Sequence, residues 1–189
     1  GTRNINTCIG GSLSAFTSAI ITPENLGKAS TATAERDAIV GYIRGNPTYN
    51  PEQTNSQVWK LGDVFRSTPI TIGSPSAFYF DARDANSQFN NHRDTHVRSS
   101  ANGLRLIIAG ANDGQMHAFK TSDGSEAWSF IPPNLLTKLK NMTHSTHPTS
   151  LTHQYFVDGP VTVADAWLGT GSGLAKAAVL ARFNGHQVD

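Results

Sequence analysis

"LRLIIAGANDGQMHAFKTSDGSEAWSF", residues 104 to 130, decides the fold class of this chain. Leu104 to Gly110 is apolar except for Arg105, the pattern of a buried strand. Asn112-Asp113-Gly114 supplies residues that tolerate positive φ in a tight hairpin. Gln115 to Lys120 then alternates, with Met116, Ala118 and Lys120 on one face and His117 and Phe119 on the other. Ser122-Asp123-Gly124 makes a second turn, and Glu126 to Ile131 a third strand carrying Trp128 and Phe130. The spacing predicts an antiparallel meander with strands near 104–110, 115–120 and 125–130, and with Trp128 mostly buried. A lone meander cannot bury both of its faces, so something must stack on it.

Outward from this stretch the pattern stays mainly β. Residues 1–30 are polar apart from "SAFTSAIITP", where Phe16, Ile20 and Ile21 fall at helical spacing and Thr22-Pro23 ends any helix. In "TATAERDAIVGYIRGNP" Thr33 is placed to cap a helix near 34–45, and Glu35 and Asp37 suit its first turn. Ile39, Val40 and Ile43 form its apolar face, and Gly45 and Pro47 stop it. From Pro51 short β runs take over: Gly62-Asp63 reads as a turn, "PITIG" as a strand starting at a proline, and Phe78 to Phe80 as another strand. Residues 84–103 are polar and aperiodic, which predicts a long surface loop. "PPNLLTKLKNM" reads as a short helical turn on the rim, with Leu135, Leu136 and Leu139 on one side. "QYFVDGPVTVADAW" reads as strand, Gly-Pro turn and strand, and "AKAAVLARF" as one more.

Composition narrows the function. Of 189 residues, 15 are basic and 14 acidic, for a net charge of +1, and no basic cluster exceeds two residues. A nucleic-acid groove or a polybasic membrane patch therefore lacks its electrostatic footprint. No apolar run reaches transmembrane length, so no membrane-spanning helix is expected. "GTRNINTCIGG" at the start lacks the features of a signal peptide, which fits a chain whose signal has been removed or an excised piece. Cys8, the one cysteine, is either a partly buried thiol or half of a bridge to another chain.

"GANDGQMHAFKTSDGSEAWSF" resembles the repeat of PQQ-type β-propellers, in which an Asn-Asp-Gly turn leads to a strand and T-x-D-G-x-x-x-W closes the blade. Its flanks extend the resemblance. "ERDAIVGYIRG", "WKLGDVFRSTPITIG", "GANDGQMHAF", "FIPPNLL" and "HQYFVDGPVTVADAW" stand in the order found in the PilY1/PilC family of type IV pilus tip-associated proteins. The likeness covers roughly residues 34 to 167. It implies the start of the family's C-terminal PQQ-like β-propeller, about one to two blades, over 51–189, with 1–50 as a lead-in segment carrying the helix. It also implies a non-enzymatic protein of the cell surface or extracellular space, acting in pilus biogenesis and adhesion. The partners so implied are a polypeptide that completes or covers the propeller, pilin or minor pilins, or a second copy. Two other propeller classes share the repeat, a PQQ-dependent quinoprotein dehydrogenase fragment and a scaffold for envelope protein assembly; the second should lack the lead-in helix.

No catalytic, cofactor-binding or metal-binding residue is named by the sequence. Some family members hold calcium in a later loop, but Asp81, Asp84 and Asn86 of "DARDANSQ" lack the alternating ligand spacing and the distal carboxylate that calcium takes. No cofactor is therefore expected in this chain. His92 and His96 are four apart in a segment without helical signal, and His144, His147 and His153 sit around Pro148, so all five read as loop histidines. Asp113 and Asp123 are explained as turn residues, and Asp158 and Asp165 similarly. "GTGSG" at 169–173 has no lysine and reads as a turn rather than a phosphate loop. The resemblance makes Trp59, Trp128 and Trp167 packing residues between blades rather than platforms for a quinone.

Overall fold

A computed structural model describes residues 3–49, 60–75, 88–143, 154–168 and 176–183, with the backbone alone at 88, 164–168 and 176–183. Strands β1 (Ile5–Ile9) and β2 (Ser12–Ala15) come first, then helix α1 (Thr33–Ile43), strand β3 (Ile70–Ile72) and helix α2 (Gln88–Thr95). Strands β4 (Leu106–Gly110), β5 (Met116–Lys120) and β6 (Glu126–Phe130) follow, and β7 (Val161–Leu168) and β8 (Lys176–Phe183) come last. Six of the strands form one mixed sheet in the order β2-β1-β6-β5-β4-β3, and β7 and β8 form a separate hairpin.

The meander forms as its turn residues require. β3, β4, β5 and β6 pair consecutively and antiparallel, with Ile108 opposite both Ile70 and Ala118, and Ala118 opposite Trp128. Gly114 and Gly124 take φ of 84° and 72° in the two hairpin turns, a region closed to most side chains. The register shifts between Ala118 and Phe119, a bulge that brings Glu126 opposite Phe119.

The first thirty residues differ from expectation. Instead of a helix around Phe16 they form the β1–β2 hairpin, because Gly10 and Gly11 both adopt positive φ and permit a two-residue turn. β1 then lies parallel to β6, with Ile5 opposite Ser129. The Ser129 and Ile131 amides donate to Asn4 and Asn6 carbonyls at 2.9 and 2.8 Å. Phe16 and Ile21 are buried while Ile20 is 49% exposed, so the helical spacing of the three did not mark one face.

Helix α1 forms where expected, but Thr33 lies inside its first turn; the cap position is Ala32, with no side-chain bond. Its end follows the Schellman pattern: Asn46 donates to the Gly41 carbonyl at 2.8 Å and Gly45, at φ 72°, to Tyr42 at 2.9 Å. The 84–103 loop is corrected as well, since α2 occupies 88–95. Phe89 and His92, three apart, are both buried and anchor a helix too polar to show an apolar stripe. Residues 154–160 contain no strand; Phe156 donates to the Asn112 side chain at 3.1 Å and Val157 to Ala111 at 3.4 Å, so these amides serve the hairpin turn. The strands expected at 161–168 and 176–183 are present. Trp59, the strand at Phe78 to Phe80, and Asp81, Asp84 and Asn86 lie outside the described residues.

Among the described residues two buried clusters result. One joins Ile5, Phe16, Ile21 and Leu26 to Ile39, Val40 and Ile43 of α1 and to Ile131, Leu136 and Leu139. The other joins Ile72, Ile108, Met116 and Ala118 of the meander to Val157, Val161 and Leu135. The 3-10 helix Pro133–Met142 therefore sits between the clusters rather than on a rim. β7 lies over β3 and β4, covering the Met116 face of the meander. Gly110 marks the close approach there, since a Cβ would meet the Val157 carbonyl oxygen at 2.5 Å. Trp128 packs against this cluster with the greater part of its surface covered, as expected. Among the described residues no helix is long and apolar enough to cross a membrane.

Candidate functional site

The opposite face of β5 carries His117, and this is where charge collects. The ring is 1% exposed. Its Nδ1 lies 2.7 Å from Glu126 Oε1, and its Nε2 lies 2.9 and 3.1 Å from the two oxygens of Asp113. An ionised carboxylate only accepts hydrogen bonds, so with both carboxylates ionised the geometry suits a ring that donates from both nitrogens, an imidazolium. Glu126 is held in turn by Arg3 through two parallel bonds, Nε to Oε2 at 2.7 Å and Nη2 to Oε1 at 2.6 Å.

The bonds run on in both directions. Arg3 Nη1 donates to the Ile43 carbonyl at the end of α1 at 3.0 Å. Arg44 donates to the carbonyls of Arg3 and Phe16 at 2.9 and 3.0 Å. Gln115 Oε1 accepts from Arg3 at 3.3 Å and from Ser129 Oγ at 2.8 Å. On the far side Asp113 Oδ2 accepts the Gly62 amide at 3.0 Å. The Asn112 amide donates to the Asp63 carbonyl at 3.0 Å, and its side-chain amide to Asp63 Oδ2 at 2.8 Å. One continuous clasp thus fastens the N-terminal segment, α1 and the 60–67 segment onto the meander.

Its charges set one another. Burial by itself pushes His117 down, but the hydrogen bonds and negative charges of Asp113 and Glu126 outweigh it and raise the imidazolium above its ordinary value. Burial likewise pushes Glu126 up, and the bonds and positive charges of Arg3 and His117 overcome it, holding the carboxyl at about 2. Stability from Glu126 is fully present above its unfolded value of 4.5 and is lost as pH falls toward about 2. Stability from His117 is fully present below its unfolded value of 6.5 and is lost as pH rises through the raised folded value. The clasp therefore holds best between 4.5 and 6.5. The thermal midpoint is expected to have its maximum in that window, and Glu126→Gln to flatten the acid limb; an unchanged limb in the variant would assign acid sensitivity elsewhere.

Chemically the arrangement is closed. Each nitrogen of the imidazolium already faces a carboxylate, and among the described residues every buried side-chain nitrogen or oxygen has a partner. No group of three or more His, Cys, Asp or Glu side chains suited to a metal stands among the described residues. A second polar contact lies at the surface, where the Arg66 guanidinium packs over the Phe65 and Tyr155 rings at 5.6 and 5.1 Å. Asp158 accepts the Arg66 amide at 3.1 Å.

Of the residues singled out in the sequence, Asp113 and Asp123 do hold their turns, accepting the amides of Gln115 and Ser125 two residues on at 3.0 and 2.9 Å. Asp113 also belongs to the clasp, which its turn role concealed. Asp158 acts at long range on Arg66 rather than in a local turn. His92 is buried on α2 rather than in a loop and packs on Phe89, whereas His96 lies exposed just past the helix as expected, the two ring centroids 4.3 Å apart. Asp165 and Trp167 lie on β7, where only the backbone is described. His144, His147 and His153 and the 169–173 turn lie outside the described residues. Cys8 is a half-buried free thiol on β1. Arg3, His117 and Glu126 were missed as a group. The available signal was a histidine on the strand face opposite Met116 and Ala118, with a glutamate on the next strand.

Comparison with known proteins gives this chain relatives. The chain is 30% identical over 149 residues to a type IV pilus biogenesis factor PilY1 homolog of Xylella fastidiosa, covering 77% of this chain and 12% of that protein. It is 31% identical over 131 residues to the type IV pilus biogenesis factor PilY1 of Pseudomonas aeruginosa strain PAK, covering 69% of this chain and 11% of that protein. No family model and no solved structure matches it. The matches make this mainly β chain a relative of type IV pilus biogenesis factors. It belongs to the PilY1 family, and spans about a tenth of the length of the curated relatives it matches.

Proposed function

We propose that this chain is a β-propeller portion of a pilus-associated surface protein, non-enzymatic and acting as a scaffold for protein contacts in pilus biogenesis. The observation that carries this reading is the β3–β6 meander with a second sheet over one face, in a chain matched to pilus biogenesis factors over most of its length. Consecutive four-stranded antiparallel sheets stacked face to face are how propeller blades are built. On that reading β3–β6 is one blade and β7–β8 opens the next, while β1–β2 widens the first blade at its β6 edge. The clasp supports a scaffold role, because its charges are saturated by one another rather than turned toward a substrate.

The partner is another polypeptide that covers what the blade leaves open. Ile107 is 37% exposed, Phe119 and Trp128 are half-buried, and the edge strand β2 carries Leu13 at 70% exposure. Pilin subunits, further blades or a second copy would each supply such cover. The test is a chimera in which this chain replaces the matched stretch of the Pseudomonas aeruginosa relative. Surface pili recovered by shearing should return to a strain otherwise carrying that relative with the stretch deleted. An exported, stable chimera that yields no pili would count against the proposal.

A further inference from the structure

The clasp joins its parts through a single proton-bearing ring, and this makes the joint conditional. The groups facing His117 are Asp113 from the hairpin turn, Glu126 from β6 and, behind Glu126, Arg3 from the N-terminal segment. Phe119, stacked on the ring at 5.7 Å, adds no charge. Helix α1 contributes the Ile43 carbonyl to Arg3, and Arg44 follows at the Arg3 carbonyl. The 60–67 segment contributes the Gly62 amide, bonded to the same Asp113 carboxylate that meets the ring.

We propose that His117 is a proton-dependent lock that holds Gly62 against Asp113 on the hairpin turn and frees that end of the 60–67 segment on the alkaline side, while Asp63 stays bonded to Asn112. A neutral imidazole has one N–H, so it serves one carboxylate and turns a lone pair toward the other. Glu126 is fixed by two charged bonds from Arg3, whereas Asp113 is held only by neutral backbone amides, those of Gln115 and Gly62. The remaining proton therefore stays on Nδ1, and the Nε2 lone pair faces two carboxylate oxygens at 2.9 and 3.1 Å. Asp113 must turn away, and the Gly62 bond goes with it. The end freed in this way bears Leu61, which is exposed, so the proton governs how that apolar residue is presented.

Hydrogen exchange of the full chain, corrected for intrinsic pH dependence, tests this alongside NMR titration of the His117 ring protons. Protection of the Gly62 amide should fall about tenfold as the ring deprotonates, the scale of losing one charge-assisted bond. Amides of the β4–β5 ladder should keep their protection, which separates local release from unfolding. In Asp113→Asn the carboxamide can donate to the lone pair, and the dependence should vanish; His117→Gln, neutral at every pH, should abolish it too. Gly62 protection that stays flat while the ring titrates would overturn the proposal. So would a ring already neutral at pH 6, or a dependence that survives in His117→Gln.

Discussion

Glu126→Ala is expected to cost about 3 to 5 kcal/mol of folding stability, the range for removing one partner of a buried ion pair. The reason lies in what remains. Arg3 and His117 have side chains only 7% and 1% exposed, and each would be left with a positive charge facing the other across an empty site. Arg3 also anchors the end of α1, so the loss should spread to the first core cluster. Urea denaturation of the wild type and the variant measures it. A difference below about 1 kcal/mol, the scale of an exposed ion pair, would mean that water reaches the clasp freely.

Gly114→Val combines two penalties at one position. Its φ of 84° is an outlier for a β-branched residue. A Cβ there would also stand 2.7 Å from Leu139 Cδ2, in the fully buried core. Backbone strain of about 1 to 2 kcal/mol and overpacking of about 1 to 3 kcal/mol place the cost near 2 to 5 kcal/mol. Gly124→Val is the internal control, because φ is 72° but nothing lies within 4 Å of the added carbon. It should show the strain alone. Equal losses at the two glycines would remove the contact with Leu139 from the account.

These positions also mark what the sequence revealed. The meander was legible because its information is local: Asp-Gly turns at both hairpins and short strand-length runs between them. Helix α1 and its end at Gly45 were legible for the same reason. The β1–β2 hairpin was hidden by an apolar patch that mimicked helical spacing, and its parallel pairing with β6 joins residues more than a hundred apart, which no local pattern encodes. α2 was hidden because a short polar helix anchored by Phe89 and His92 has too few apolar residues to show a period. The clasp was hidden because Asp113 already had a local explanation, while Arg3 and Glu126 meet across 123 positions.

The central claim is that the β7–β8 hairpin is seated on one face of the meander. Methyl NMR of this chain tests it most directly, because Val161 of β7 shares one buried cluster with Ile72 and Ile108 of the meander. Through-space contacts from the Val161 methyls to those of Ile72 and Ile108 are predicted, together with cross-strand contacts between Ile108 and Ala118. The cross-strand contacts without those from Val161 would show a meander with no sheet upon it, and would contradict the claim.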